Sequence, residues 1–203
     1  MDNAMRAASR RSVLLAGAAG TLSLMAGTRL AFGQDKGDLA ILQAAHDLES
    51  QAIWAYGAAA GKLSKTDVGK TVLELALRNQ ADHKSHRAAL ADAIKSLGAT
   101  PAPAKDSYDL SAYLKAGEGG LDSDANIAKL ALALEIDAAL AYQSAFGKLK
   151  TPALQAAASS ILPAEAGHAT AIRAVFHGLM PTVQEVPAAF LSAQTRKDWI
   201  LKV

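Results

Sequence analysis

Leu48-Glu49 to Tyr56 and Leu134-Glu135 to Tyr142 read as one helix written twice, and each runs on to Gly-Lys-Leu, at 61–63 and 147–149. The offset is therefore 86 throughout (49 to 135, 56 to 142). In both copies a glutamate sits where a helix turns its apolar stripe toward a core. Each copy is followed by a second helical stretch with histidines on its inward face. A chain that is 51% hydrophobic but only 5% aromatic builds that core mainly from Ala and Leu. Such residues favour helix and let helices pack closely.

Apolar residues recurring in steps of three and four predict four long helices. The first covers about 39 to 63, with Asp38 as its N-cap and the stripe Leu42, His46, Glu49, Ile53, Tyr56, Ala60, Leu63. The second covers about 67 to 98, with Val72, Ala76, Asn79, His83, His86, Leu90, Ile94 and Leu97 facing inward. The third follows Asp122-Ser123-Asp124 to about 149 and presents Ile127, Ala131, Glu135, Ala138, Tyr142, Ala145 and Leu149. The fourth has Thr151 as N-cap and Pro152 at its first position, and stops at Gly178. Its stripe is Leu154, Ala158, Ile161, Glu165, His168, Ile172, Val175, Leu179, and Pro163 is expected to kink it. Short links make two antiparallel hairpins. Residues 98–122, rich in Pro, Gly and Asp, form one long crossover with a short turn near 109–114. The expected fold is all-α: an antiparallel four-helix bundle of two helical hairpins over 34–180, with a tail at 181–203 packed outside it.

Glu165-Ala-Gly-His168 is the sharpest local motif, because an i, i+3 spacing puts both side chains on one helical face. Carboxylate bundles that hold two metals use Glu-x-x-His on two helices and a lone Glu on each of the others. Glu49 and Glu135 fill the lone positions. In the second helix an offset of 82 keeps apolar residues aligned, pairing Val72 with Leu154 and Leu90 with Ile172. It also pairs His83 with Glu165 and His86 with His168, so this helix offers His-x-x-His, with Asp82 beside it, where Glu-x-x-His is the rule. Only six glutamates occur in the chain, and three fall on core stripes, where a bare carboxylate is costly unless paired or metal-bound. Glu49, His83, His86, Glu135, Glu165 and His168 are thus candidate ligands for one or two metals, with His46 as an additional or supporting group. Oxygen-rich ligand sets suit iron and manganese, and added imidazole moves the preference toward zinc or copper. Tyr56 and Tyr142 read as core packing, and His177 as a cation at a helix C-terminus.

The N-terminus reads as an address. Ser9-Arg10-Arg11-Ser12 precedes an uncharged run, and Ala31-Phe32-Gly33 offers small residues for cleavage, so 1–33 is expected to be a twin-arginine signal peptide leading to the periplasm. The run is shorter than the roughly 20 residues a membrane span needs, so no stable membrane insertion is expected after cleavage. The formal net charge of +2 rests on this segment: without Arg6, Arg10, Arg11, Arg29 and Asp2, 17 basic and 18 acidic side chains remain. That balance gives no electrostatic case for nucleic acid. The absence of cysteine excludes disulfides and thiolate metal sites.

These features together resemble the ferritin-like superfamily, in particular the bacterial Tat-exported ferritin-like domain proteins, over about residues 38–178. The resemblance rests on Leu48-Glu49…Tyr56, Ala81-Asp82-His83-Lys84-Ser85-His86, Leu134-Glu135…Tyr142 and Ala164-Glu165-Ala166-Gly167-His168, with Leu97-Gly98-Ala99-Thr100-Pro101 and Tyr108-Asp109-Leu110 fitting too. It implies a four-helix bundle with a mononuclear or dinuclear iron or manganese site at the six positions above, and oxidase or peroxide-related chemistry. Without cysteine the chain lacks the rubredoxin module through which rubrerythrins receive electrons. Two readings stay open: a periplasmic metal-binding bundle, or a metal-free bundle acting as a binding or interaction module in the envelope. The residues leave open whether either turns over a substrate, and whether the chain forms a homo-oligomer.

Overall fold

The computed structural model describes residues 36–203, so the signal-peptide reading of residues 1–33 lies outside the described residues. Six helices follow one another among the described residues: α1 (Lys36–Ala60), α2 (Asp67–Ser96), α3 (Ser111–Lys115), α4 (Asp124–Phe146), α5 (Pro152–Leu179) and α6 (Arg196–Trp199). There is no strand among the described residues. The four long helices are those the apolar periodicity predicts, and α3 is the short turn expected within the crossover.

Local chemistry sets most of the boundaries. Thr66 accepts a hydrogen bond from the Gly69 amide at 3.2 Å to open α2, and Ser123 does the same for Asn126 at 3.2 Å to open α4. α2 stops where Gly98 adopts a φ of 75°, which returns the Gly98 and Ala99 amides to the Lys95 and Ile94 carbonyls. α5 passes through Pro163 without interruption. Asp38 corrects an expectation. It lies inside the first turn of α1 rather than capping it. Its buried carboxylate instead accepts from the Lys150 and Thr151 amides, both at 2.9 Å, and from the Thr151 hydroxyl at 2.6 Å. Asp124, at the matching point of the second copy, accepts from the Ser64 amide at 2.8 Å and its hydroxyl at 2.6 Å. The start of each hairpin thus holds the turn of the other.

These ties fix the topology. α4 begins where α1 ends and α5 begins where α1 begins, so α4 runs antiparallel to α1. The crossover climbs alongside α1, held by Gln43 to Thr100 and Ala102, and by Asp47 to Lys105 and Tyr108. It presses on α4 at Gly119 (φ 123°), where a Cβ would sit 2.2 Å from the Leu130 amide nitrogen.

α4 is buried on two sides. Its inward stripe faces the bundle, and Ala128, Leu132 and Ile136 join Val72, Ala169, Ile172, Phe176 and Trp199 in one core cluster. The tail therefore packs outside the four helices but not outside the core. Arg173, itself buried, donates to the Gln184 carbonyl at 2.7 Å and to the Trp199 carbonyl. Arg196 forks between Glu118 and Asp137. Leu179, expected on the inward stripe, is 61% exposed, and Phe176 is buried instead.

Candidate metal centre

Each long helix brings its part to one level of the bundle. Glu49 comes from α1, His83 and His86 from α2, Glu135 from α4, and Glu165 and His168 from α5. Helical spacing keeps each pair on a single inward face. All six side chains meet in the interior: five are buried, with Glu165 at 0% exposure, and His86 is half-buried.

Their atoms form two overlapping groups of four, Glu49/His83/His86/Glu165 and His83/Glu135/Glu165/His168, and in each the donor atoms lie within 4.8 Å of one another. His83 faces both. Its Nδ1 is 2.8 Å from Glu49 Oε2 and 3.8 Å from Glu165 Oε1, while its Nε2 is 3.1 Å from Glu135 Oε1. Glu165 also serves both, with Oε1 2.9 Å from His86 Nδ1 and Oε2 3.5 Å from His168 Nδ1. His168 Nδ1 lies 3.2 Å from Glu135 Oε2. Despite these short approaches, Glu165 Oε1, Glu165 Oε2 and His86 Nδ1 are buried without a hydrogen bond of acceptable geometry. A buried carboxylate left unsatisfied on both oxygens is expensive. The donor set is one that fits a transition metal, and at Glu165 and His86 Nδ1 its ligand atoms converge without satisfying one another.

Burial and pairing pull the titrating groups in opposite directions. At Glu49 and Glu135 burial disfavours the charged form. The His83 hydrogen bond and the nearby His86 imidazole at Glu49, and hydrogen bonds from His168 and His83 at Glu135, outweigh it and hold both carboxyls below the usual range. The imidazoles mirror this: burial would lower them, but their carboxylate partners raise His83 to about 11, His168 to about 10 and His86 to about 9. Glu165 goes the other way, pushed up chiefly by its burial.

A ring of supporting groups surrounds the six. The Tyr56 hydroxyl donates to Glu135 and the Tyr142 hydroxyl to Glu49, each reaching across to the other copy of the repeat. Asn79 donates to the Tyr56 oxygen at 3.0 Å. Asp82 sits 3.1 Å from His168 Nε2 and pairs with Arg78, fixing the imidazole that presents Nδ1 inward. The tyrosines thus do more than pack. Their presence two turns after each glutamate, repeated in both copies, is the signal that marks them. His46 is buried on α1, but it belongs to neither group of four, and burial followed by the Arg87 charge lowers its pKa.

A family model for the ferritin-like domain matches residues 37–178. The chain belongs to the ferritin-like domain family. Among solved structures, this ferritin-like chain is similar to a conserved hypothetical protein, rv2844, from Mycobacterium tuberculosis, at 25% identity with a TM-score of 0.59. The match covers 70% of this chain and 98% of that one. No curated protein matches the chain. Against the ferritin-like ligand pattern, α5 keeps its Glu-x-x-His and α1 and α4 keep their lone glutamates, while α2 has an imidazole at 83 in place of a carboxylate.

Proposed function

We propose that this ferritin-like protein binds one or two transition metals, with iron or manganese favoured, through Glu49, His83, His86, Glu135, Glu165 and His168. The observation that carries the reading is Glu165, fully buried with neither oxygen hydrogen-bonded, between two groups of donors that share it. Bound there, a metal would supply Lewis acidity and, for iron or manganese, redox chemistry of the oxidase or peroxide type. Tyr56, Tyr142 and Asp82 would orient the ligands, and the burial of the site would exclude bulk water. The paired Arg10-Arg11 ahead of an uncharged run supports export to the periplasm. No helix among the described residues is long and apolar enough to cross a membrane.

Elemental analysis of protein purified from the periplasm without a His-tag or chelator tests the reading. One or two equivalents of metal are expected, lost in folded Glu135→Ala and His168→Ala variants. Zinc or copper alone would point to the histidine-rich side of the site and to a role other than oxidation. No metal after reconstitution would sink the proposal.

A second reading also has an observation behind it. Glu49 and Glu135 already find hydrogen-bonding partners in His83, His168, Tyr56 and Tyr142, as a metal-free interaction module requires. In that case exhaustive chelation leaves the melting temperature unchanged.

A further inference from the structure

A half-open cavity of about 90 Å3 lies between α1 and α4 and ends at the site. α1 and α4 pack less closely than the partners within each hairpin. Small residues line much of the space between them: Ala52, Ala55 and Ala58 on one side, Ala131 and Ala138 on the other. Leu48, Gln51, Ile127, Leu130 and Leu134 are the larger residues of the walls. The crossover roofs the gap with Leu110, Tyr113 and Leu121, which pack with Trp54 around Ala55 and Leu130. At its inner end the cavity is lined by Tyr56, His83 and Glu135.

The charges that border this space are already matched. Asp137 is held by Arg196 at 2.6 and 2.8 Å and by the Tyr113 hydroxyl at 3.0 Å. Glu135 is held by His83, His168 and Tyr56. An ion entering would lose its hydration and meet no free counter-charge, whereas an uncharged apolar molecule loses nothing of the kind. Size sets a second limit, since the space is smaller than the ~150 Å3 engineered cavity that accepts benzene.

We infer that this cleft binds a small uncharged apolar molecule, burying about four of its heavy atoms, and presents its inner end to His83 and Glu135. The inference names the ligand class of the proposed metal site, and rests on that reading for its purpose, while the cleft itself is built from protein side chains.

The experiment uses chelated protein, so that failure of the cleft and failure of the metal site are separable. Methyl-labelled Ala and Leu signals are followed by NMR while 1-butanol, butanoate or butylammonium is added. With 1-butanol, saturable shifts are expected at Ala55, Leu130, Ala131 and Leu134, with a Kd in the millimolar range. The two ions should bind at least about tenfold more weakly. Ala131→Leu and, as an independent filler, Ala138→Leu should each weaken butanol binding about tenfold or more while preserving the remaining spectrum. Non-saturable shifts, equal binding of the ions, affinity rising steadily with chain length to 1-decanol, or unchanged binding in a folded filler variant would each overturn the inference.

Discussion

Glu165 concentrates the difference between a residue that stabilises the fold and one that serves a site. Glu135, equally buried, is bonded by His83, His168 and Tyr56, and its carboxyl stays charged. Glu165 has imidazoles close by at unfavourable angles, and burial raises its pKa. Removing an unsatisfied buried charge is commonly neutral or favourable, whereas removing one partner of a satisfied pair is not. In urea titrations of chelated protein, Glu165→Met should therefore gain about 1 kcal/mol. The wild type should overtake it once metal is added, since binding to the folded state alone adds stability. A loss of several kcal/mol in the chelated variant would mean that Glu165 is paired after all. All six candidate residues were legible in the sequence, because the repeat put a glutamate at matching points and the i, i+3 spacing fixed their faces. That His83 would turn one nitrogen to each half of the site was not legible, since periodicity places a side chain on a face without setting the tilt of its ring.

The helices answer one another across the repeat. Tyr56 reaches Glu135 and Tyr142 reaches Glu49, while Asp38 holds the turn before α5 and Asp124 the turn before α2. Each contact has a partner displaced by 86 residues, so the duplication seen in the sequence survives as a twofold pattern of bonds. The duplicated glutamates and tyrosines are legible in the sequence, whereas the tie of Asp38 to a distant turn is not, because capping rules look only along the chain. The two aspartates differ in burial: Asp38 is 2% exposed and Asp124 is half-buried. Asp38→Ala would take a buried acceptor from two amides and a hydroxyl, costing about 2–3 kcal/mol. Asp124→Ala should cost clearly less, because water can take over its bonds. Thermal denaturation of the two variants side by side checks the order, and equal losses would refute the cross-hairpin account of Asp38.

At the scale of the whole molecule, the C-terminal segment decides whether the bundle is finished by its four long helices. Trp199 is 5% exposed and contributes to the core cluster on the second apolar side of α4. Arg173 and Arg196 fasten the segment, and the Val203 amide donates to the Gly117 carbonyl at 2.9 Å. The sequence did carry a sign of this cover: Ala128, Leu132 and Ile136 form a second apolar stripe on α4, which packs with Val72 of α2, Ile172 of α5 and Trp199 of the tail. One inward stripe per helix already accounts for a bundle, and the amphipathic end from Phe190 to Trp199 does not by itself say which helix it covers. Truncating a buried tryptophan costs about 3–5 kcal/mol. In a domain of this size each kcal/mol moves Tm by ~2–4 °C. Trp199→Ala should therefore lower Tm by roughly 6–20 °C, and retained metal content in the cold would separate loss of the cover from loss of the site. A tail that serves only as a detachable docking arm predicts instead an unchanged Tm, because removing an arm exposes no core. The buried indole and the second stripe on α4 favour the large shift.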